Sequence, residues 1–115
     1  MDSILQRLAE LHEIISAILI GKDGLIVAGT VQSDEEEMLG AISAAVFGSI
    51  SNFTTQASDS ETRHAIIETA KGTVQFAEAG ELILVVMTNG IGNIGRVRLE
   101  MKKACHQIAD LVAAY

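Results

Sequence analysis

The chain has 115 residues, 49% of them hydrophobic, three Phe, one Tyr and no Trp, and a formal net charge of −7. That length suits one domain over residues 1–115, and a chain of this size buries roughly 65% of its unfolded surface, so the composition argues against disorder. The negative charge and the 3% aromatic content argue against nucleic-acid binding, which needs a basic surface and stacking platforms. The single cysteine, Cys105, leaves no intrachain disulfide and no thiolate-rich zinc site; a reducing, cytoplasmic setting is the simplest expectation. The segment Met1 to His12 lacks a basic leader, and the longest apolar run, Leu82 to Met87, falls far short of the ~20 residues that span a bilayer, so no direct membrane insertion is expected.

The first element is an amphipathic helix. Ser3 and Gln6 have capping-box spacing, and Ile4, Leu5, Leu8, Leu11 and Ile15 recur three and four apart. Ala17–Ile20 and Leu25–Ala28 are β-prone runs around Gly21-Lys22-Asp23-Gly24, where Asp-Gly signals a tight hairpin. Ser33 and Glu36 suggest a second capping box, and the acids from Asp34 to Glu37 suit a helix start; the helix should run from about Asp34 to Gln56. Arg63–Thr69, Thr73–Glu78 and Leu82–Thr88 read as three strands, the last apolar on both faces and therefore central. Asn93 is placed to cap a last helix, whose stripe Ile94, Val97, Met101, Ala104, Ile108, Leu111 and Tyr115 continues to the end of the chain. The expectation is an α/β (α+β sandwich) fold of order α-β-β-α-β-β-β-α. Its five-stranded antiparallel sheet should carry the middle helix on one face and the terminal helices on the other.

The middle helix is unusual. At 100° per residue, Leu39, Ile42, Val46, Ile50 and Phe53 form one stripe, expected to be its core face. Ala41, Ala44, Gly48, Ser51 and Thr55 form the opposite one, with Ala45 beside them. A water-facing surface should be charged, whereas small residues allow another backbone to approach. This face is expected to pack against a second copy, homodimerisation being the commonest arrangement; the plainer reading is an Ala-rich solvent face.

The element order, the hairpin from Ala17 to Ala28 and the segment Asn93-Ile94-Gly95-Arg96-Val97-Arg98-Leu99-Glu100 together resemble the Roadblock (dynein light-chain) domain over essentially the whole chain. Longin and profilin-like proteins are the nearest competitors. The resemblance implies a homodimer in which the middle helices pair and the third strands join edge to edge, here through His64, Ala65, Ile66, Ile67 and Glu68. It further implies a non-enzymatic scaffold or regulator for a Ras-like small GTPase, of the prokaryotic type. Glu36, Glu37 and Gly40 are a candidate docking patch, the simpler reading of the acidic run being a helix start. A dynein-type cargo adaptor is the family's other role. A small-ligand sensor of PAS or GAF type is a different class, disfavoured by the few aromatics.

Gly90-Ile91-Gly92-Asn93-Ile94-Gly95 matches a dinucleotide fingerprint literally, but only one helix follows it, without the strand and ribose-binding acid that the motif requires. The glycines are better read as turn and packing residues, and no cofactor is expected. His12, His64 and His106 lie on three elements and suggest no metal site; Cys105 falls on the last helix stripe as a core thiol; Arg96, Arg98, Lys102 and Lys103 read as a solvated helix face. No nucleophile with a base is apparent, so no enzyme is expected.

Overall fold

A computed structural model describes residues 1–30 and 34–114. In chain order it contains α1 (Asp2–Ala9), β1 (Ile14–Gly21), β2 (Ile26–Gly29), α2 (Asp34–Ser58), β3 (His64–Glu68), β4 (Thr73–Ala79), β5 (Leu82–Thr88) and α3 (Ile94–Ala113). The five strands form one antiparallel sheet in the order β2-β1-β5-β4-β3. β5 lies at its centre, as expected of a strand apolar on both faces. The edges are the short β2 and the strand β3.

Strand alternation sends side chains into two cores. Ala17, Leu19, Ala77, Leu84 and Val86 pack against α1 and α3, through Leu5, Leu8, Met101 and Ile108 among others. Ile18, Ile20, Phe76, Ile83 and Val85 pack against α2, which contributes Phe47. The terminal helices therefore share one face and the middle helix has the other.

Two local readings need correction. α1 starts at Asp2 behind Met1, with no side-chain cap, so the Ser3–Gln6 box does not form. α1 ends at Ala9, and Ile15 belongs to β1, where it is exposed next to a register shift. Ser33, the other expected cap, lies outside the described residues. At α3 the reading holds: Asn93 Oδ1 accepts a hydrogen bond from the backbone N–H of Arg96 at 3.2 Å.

The hairpin β1–β2 turns as its sequence dictates. Gly24 has φ +89°, and Asp23 Oδ1 accepts from the Leu25 N–H at 3.1 Å. This turn also fixes α2. A Cβ on Gly24 would lie 2.9 Å from the Cα of Ala41, and one on Gly40 would lie 2.8 Å from the Gly24 carbonyl oxygen. The small residues at the start of α2 do admit another backbone, and that backbone is the chain's own hairpin.

Candidate functional site

α2 has no charged residue from Met38 to Ser58. The residues it turns to the sheet are Glu36, Gly40, Ser43 and Phe47, all buried, with Ala44, Ile50, Ser51 and Thr54 partly covered. The stripe expected to form its core face is largely outside: Leu39 is 40%, Ile42 51% and Phe53 61% exposed, with Met38 beside them at 66%. Val46 and Ile50 are half-buried. The reason is steric. The close approach at Gly24, Gly40 and Ala41 sets the rotation of the helix, and Phe47, stacked on Phe76 at a centroid distance of 6.3 Å, anchors it there. By length and composition alone α2 would suffice to cross a membrane.

Large apolar groups scattered singly are ordinary on a protein surface, but a contiguous row of them on one helix marks an interaction site. The row continues onto the sheet. Ala65 and Val74 belong to the α2-side core, so Ile67, two residues after Ala65 and paired with Val74, lies on that same face; it is 40% exposed. β3 carries the row to the sheet edge. Its outer N–H and C=O groups have no strand partner among the described residues, and the strand contains neither Pro nor Lys to guard it.

The other residues read as interface occupy distinct places. Gly48 and Thr55 are exposed, with Ala44 and Ser51 half-buried; all four line a cleft of about 310 Å³ with Lys22, Glu61, Glu78 and Ile83. Ala41 and Ala45 are exposed. A Cβ on Gly48 would meet nothing within 4 Å. Within the docking patch read from sequence, Glu36 and Gly40 are buried, against Gly29 and Gly24 respectively, and only Glu37 reaches the surface.

The glycine-rich loop after β5 serves turning and close packing. Gly90 and Gly92 have φ of +77° and +96°. A Cβ on Gly90 would lie 2.9 Å from the Lys71 carbonyl oxygen, and one on Gly92 2.6 Å from Glu13 Cγ. No sequence signal singled out Glu13, yet it ties this loop down. Its carbonyl accepts from the Asn89 N–H at 2.9 Å, and its buried carboxylate accepts from the Asn93 N–H at 3.4 Å, with Arg96 at 4.0 Å and His12 Nδ1 at 3.3 Å. Its own backbone N–H lowers the Glu13 pKa most; burial opposes this, while the Asn93 N–H, His12 and Arg96 reinforce it. A lowered folded pKa gives stability that is complete above the unfolded value, about 4.3, and lost as pH falls through the folded one. Glu13→Gln is therefore expected to lower Tm at neutral pH. In thermal melts from pH 7 to pH 3 its deficit against the wild type should shrink on the acid side.

Cys105 is 5% exposed within the α1/α3 core, and burial pushes its thiol up to about 12. With so little thiolate at pH 8, the folded chain should react with a thiol reagent far more slowly than the denatured chain, and denaturant should release one fast equivalent. Among the described residues, His, Cys, Asp and Glu form no group of three or more able to hold a metal.

The Roadblock/LC7 domain model matches residues 1–88, from α1 through β5. The chain belongs to the Roadblock/LC7 family. An uncharacterised protein of Methanocaldococcus jannaschii, MJ1340, is 32% identical over 109 residues, which is 94% of this chain and 96% of that protein. Among solved structures, MglB of Myxococcus xanthus superposes with a TM-score of 0.92 at 20% identity, covering 99% of this chain and 95% of its own. A Roadblock/LC7 domain from Streptomyces avermitilis also gives 0.92, at 16% identity and 98% coverage of each chain. These superpositions extend the shared fold through α3, beyond the segment that the family model matches. Roadblock/LC7 is a regulatory and adaptor family, and the profilin-like alternative gives way to it.

Proposed function

We propose that this Roadblock domain is a non-enzymatic homodimeric platform that binds a Ras-like small GTPase. The observation that carries the dimer is the row Met38, Leu39, Ile42 and Phe53, exposed on a helix with no charged residue after Glu37, with Ile67 on the same sheet face at an unguarded strand edge. A second copy covers both at once. Its α2 packs on this α2, and its β3 adds to this β3 through main-chain hydrogen bonds. The contact on α2 is thus assigned to the large apolar stripe, with Ala45 at its margin. Ala41 stays against the hairpin, while Ala44, Gly48, Ser51 and Thr55 stay on the 310 Å³ cleft.

The GTPase role rests on family membership and on the likeness to MglB. Against the sensor alternative stands the use of the aromatics: Phe47 and Phe76 stack on each other in the α2-side core. The test is a titration of the dimer against each Ras-like GTPase encoded in the same genome, loaded in turn with GTP analogue and GDP. The expected result is saturable binding to at least one, with a preference between the two nucleotide states. Absence of binding to all of them contradicts the proposal.

A further inference from the structure

On the sheet face opposite α2, a cleft of about 450 Å³ lies between α3 and the strands β3 and β4. Its floor includes Ala77 and Cys105, and its other lining residues are Arg63, His64, Glu78, Arg98, Lys102 and His106. Three of the eight Lys and Arg residues and two of the three His of a chain with net charge −7 are thus gathered around one concavity. Random placement on so acidic a surface would surround these cations with carboxylates. Instead, the Lys and Arg ion pairs among the described residues belong to other cations: Lys22 with Glu81, Arg96 with Glu13 and Lys103 with Glu100. Arg63, Arg98 and Lys102 have no carboxylate within 4.0 Å there, although Glu78 lines the same cleft.

We propose that this cleft is a binding site for a small soluble phosphate ester or diphosphate. Its volume falls in the range of small-ligand pockets, on the order of 300–1,000 Å³. Two guanidinium groups offer bidentate donors to phosphate oxygens, and Lys102 adds a point charge. His64 is held ready by a buried chain of hydrogen bonds. Its Nε2 is 2.9 Å from Oε1 of Gln75, which is fully buried; Gln75 Nε2 donates to Thr73 Oγ1 at 3.4 Å, and Thr73 Oγ1 is 2.7 Å from Thr88 Oγ1. With Nε2 engaged, Nδ1 is the ring nitrogen left for a ligand. Burial lowers the pKa of His64; the Gln75 hydrogen bond opposes this, and the charge of Arg98 lowers it further. A bound anion favours the imidazolium, so it should move the His64 titration to higher pH, against the field of Arg63, Arg98 and Lys102 and with that of Glu78; Cys105, its thiol pushed up to about 12, stays neutral, and His106 lines the same cleft. The site lies across the sheet from the α2 surface and is independent of the GTPase reading, while its Arg63 and His64 adjoin the β3 edge that the proposed dimer pairs.

The test is an amide-resolved NMR titration of the full chain with sodium pyrophosphate. The expected result is saturable shifts confined to Arg63–His64, Ala77–Glu78 and the Arg98–His106 turns of α3. Arg98→Gln with Lys102→Gln should weaken binding by about tenfold or more, while Lys103→Gln, whose lysine pairs with Glu100 outside the cleft, should leave it unchanged. Both substituted positions are exposed, so the variants keep the fold. Absence of saturable shifts at these residues overturns the proposal, as does a double variant that binds like the wild type. Tighter binding of a glutamate-rich peptide than of pyrophosphate at the same residues overturns the ligand class.

Discussion

Ile42→Asp combined with Phe53→Asp is expected to convert the chain from dimer to folded monomer. Both side chains are more than half exposed in the single chain, so the substitutions leave the sheet and its two cores intact. In the dimer each carboxylate would be buried without a cation, since α2 has no charged residue from Met38 to Ser58. An unpaired buried charge costs several kcal/mol, and two per protomer in a symmetric contact are enough to abolish association at micromolar concentrations. Sedimentation velocity reads the outcome: 12.2 kDa for the variant and twice that for the wild type. The paired control is Gly48→Leu. Its Cβ enters open space on the other side of the helix, toward the 310 Å³ cleft, so the variant should remain dimeric. If Gly48→Leu gave the monomer and the aspartate pair did not, the small-residue face would be the contact instead.

Phe47→Ala is expected to destabilise the domain by about 3–5 kcal/mol, the usual cost of emptying a large aromatic site. Phe47 is 4% exposed and is the one large apolar side chain buried among the described residues of α2; Glu36, Gly40 and Ser43 are buried on the same helix. Its ring stacks on Phe76 and meets the cluster of Ile18, Ile20, Ile83 and Val85. Without it, α2 retains only the half-buried Val46 and small residues against that core, and the loss should appear as a fall in the denaturant midpoint. Because the same helix carries the proposed dimer face, the apparent loss should grow on dilution, where association no longer supports the fold.

Much of this architecture is legible from local signals. Hairpin chemistry at Asp23-Gly24, alternation in β4 and the unbroken apolar run of β5 each depend on neighbouring residues, and each element forms where its pattern places it. The rotation of α2 is different. Both of its sides are uncharged, so the hydrophobic pattern cannot rank them, and the larger side chains naturally read as core. What decides is a non-local contact, the hairpin turn at Gly24 against Gly40 and Ala41, which turns the large stripe outward. Phe47, lying between the two stripes, belongs to neither by periodicity and becomes the anchor. The role of Glu13 was equally hidden: its partners, Asn89, Asn93 and Arg96, stand far along the chain. His64 and His106 looked unrelated on two elements, yet the packing of α3 on β3 and β4 brings them to one cleft with Arg63, Arg98 and Lys102.

The central claim is that a second copy covers the outward face of α2. Isotope-filtered NOE spectroscopy on a mixed sample of carbon-13-labelled and unlabelled chains tests it most directly. The expected result is intermolecular NOEs linking Leu39, Ile42 and Phe53 of one protomer to α2 of its partner, together with backbone contacts between the two β3 strands. Intermolecular NOEs absent from these residues, or confined to the face of Gly48, Ser51 and Thr55, would contradict it.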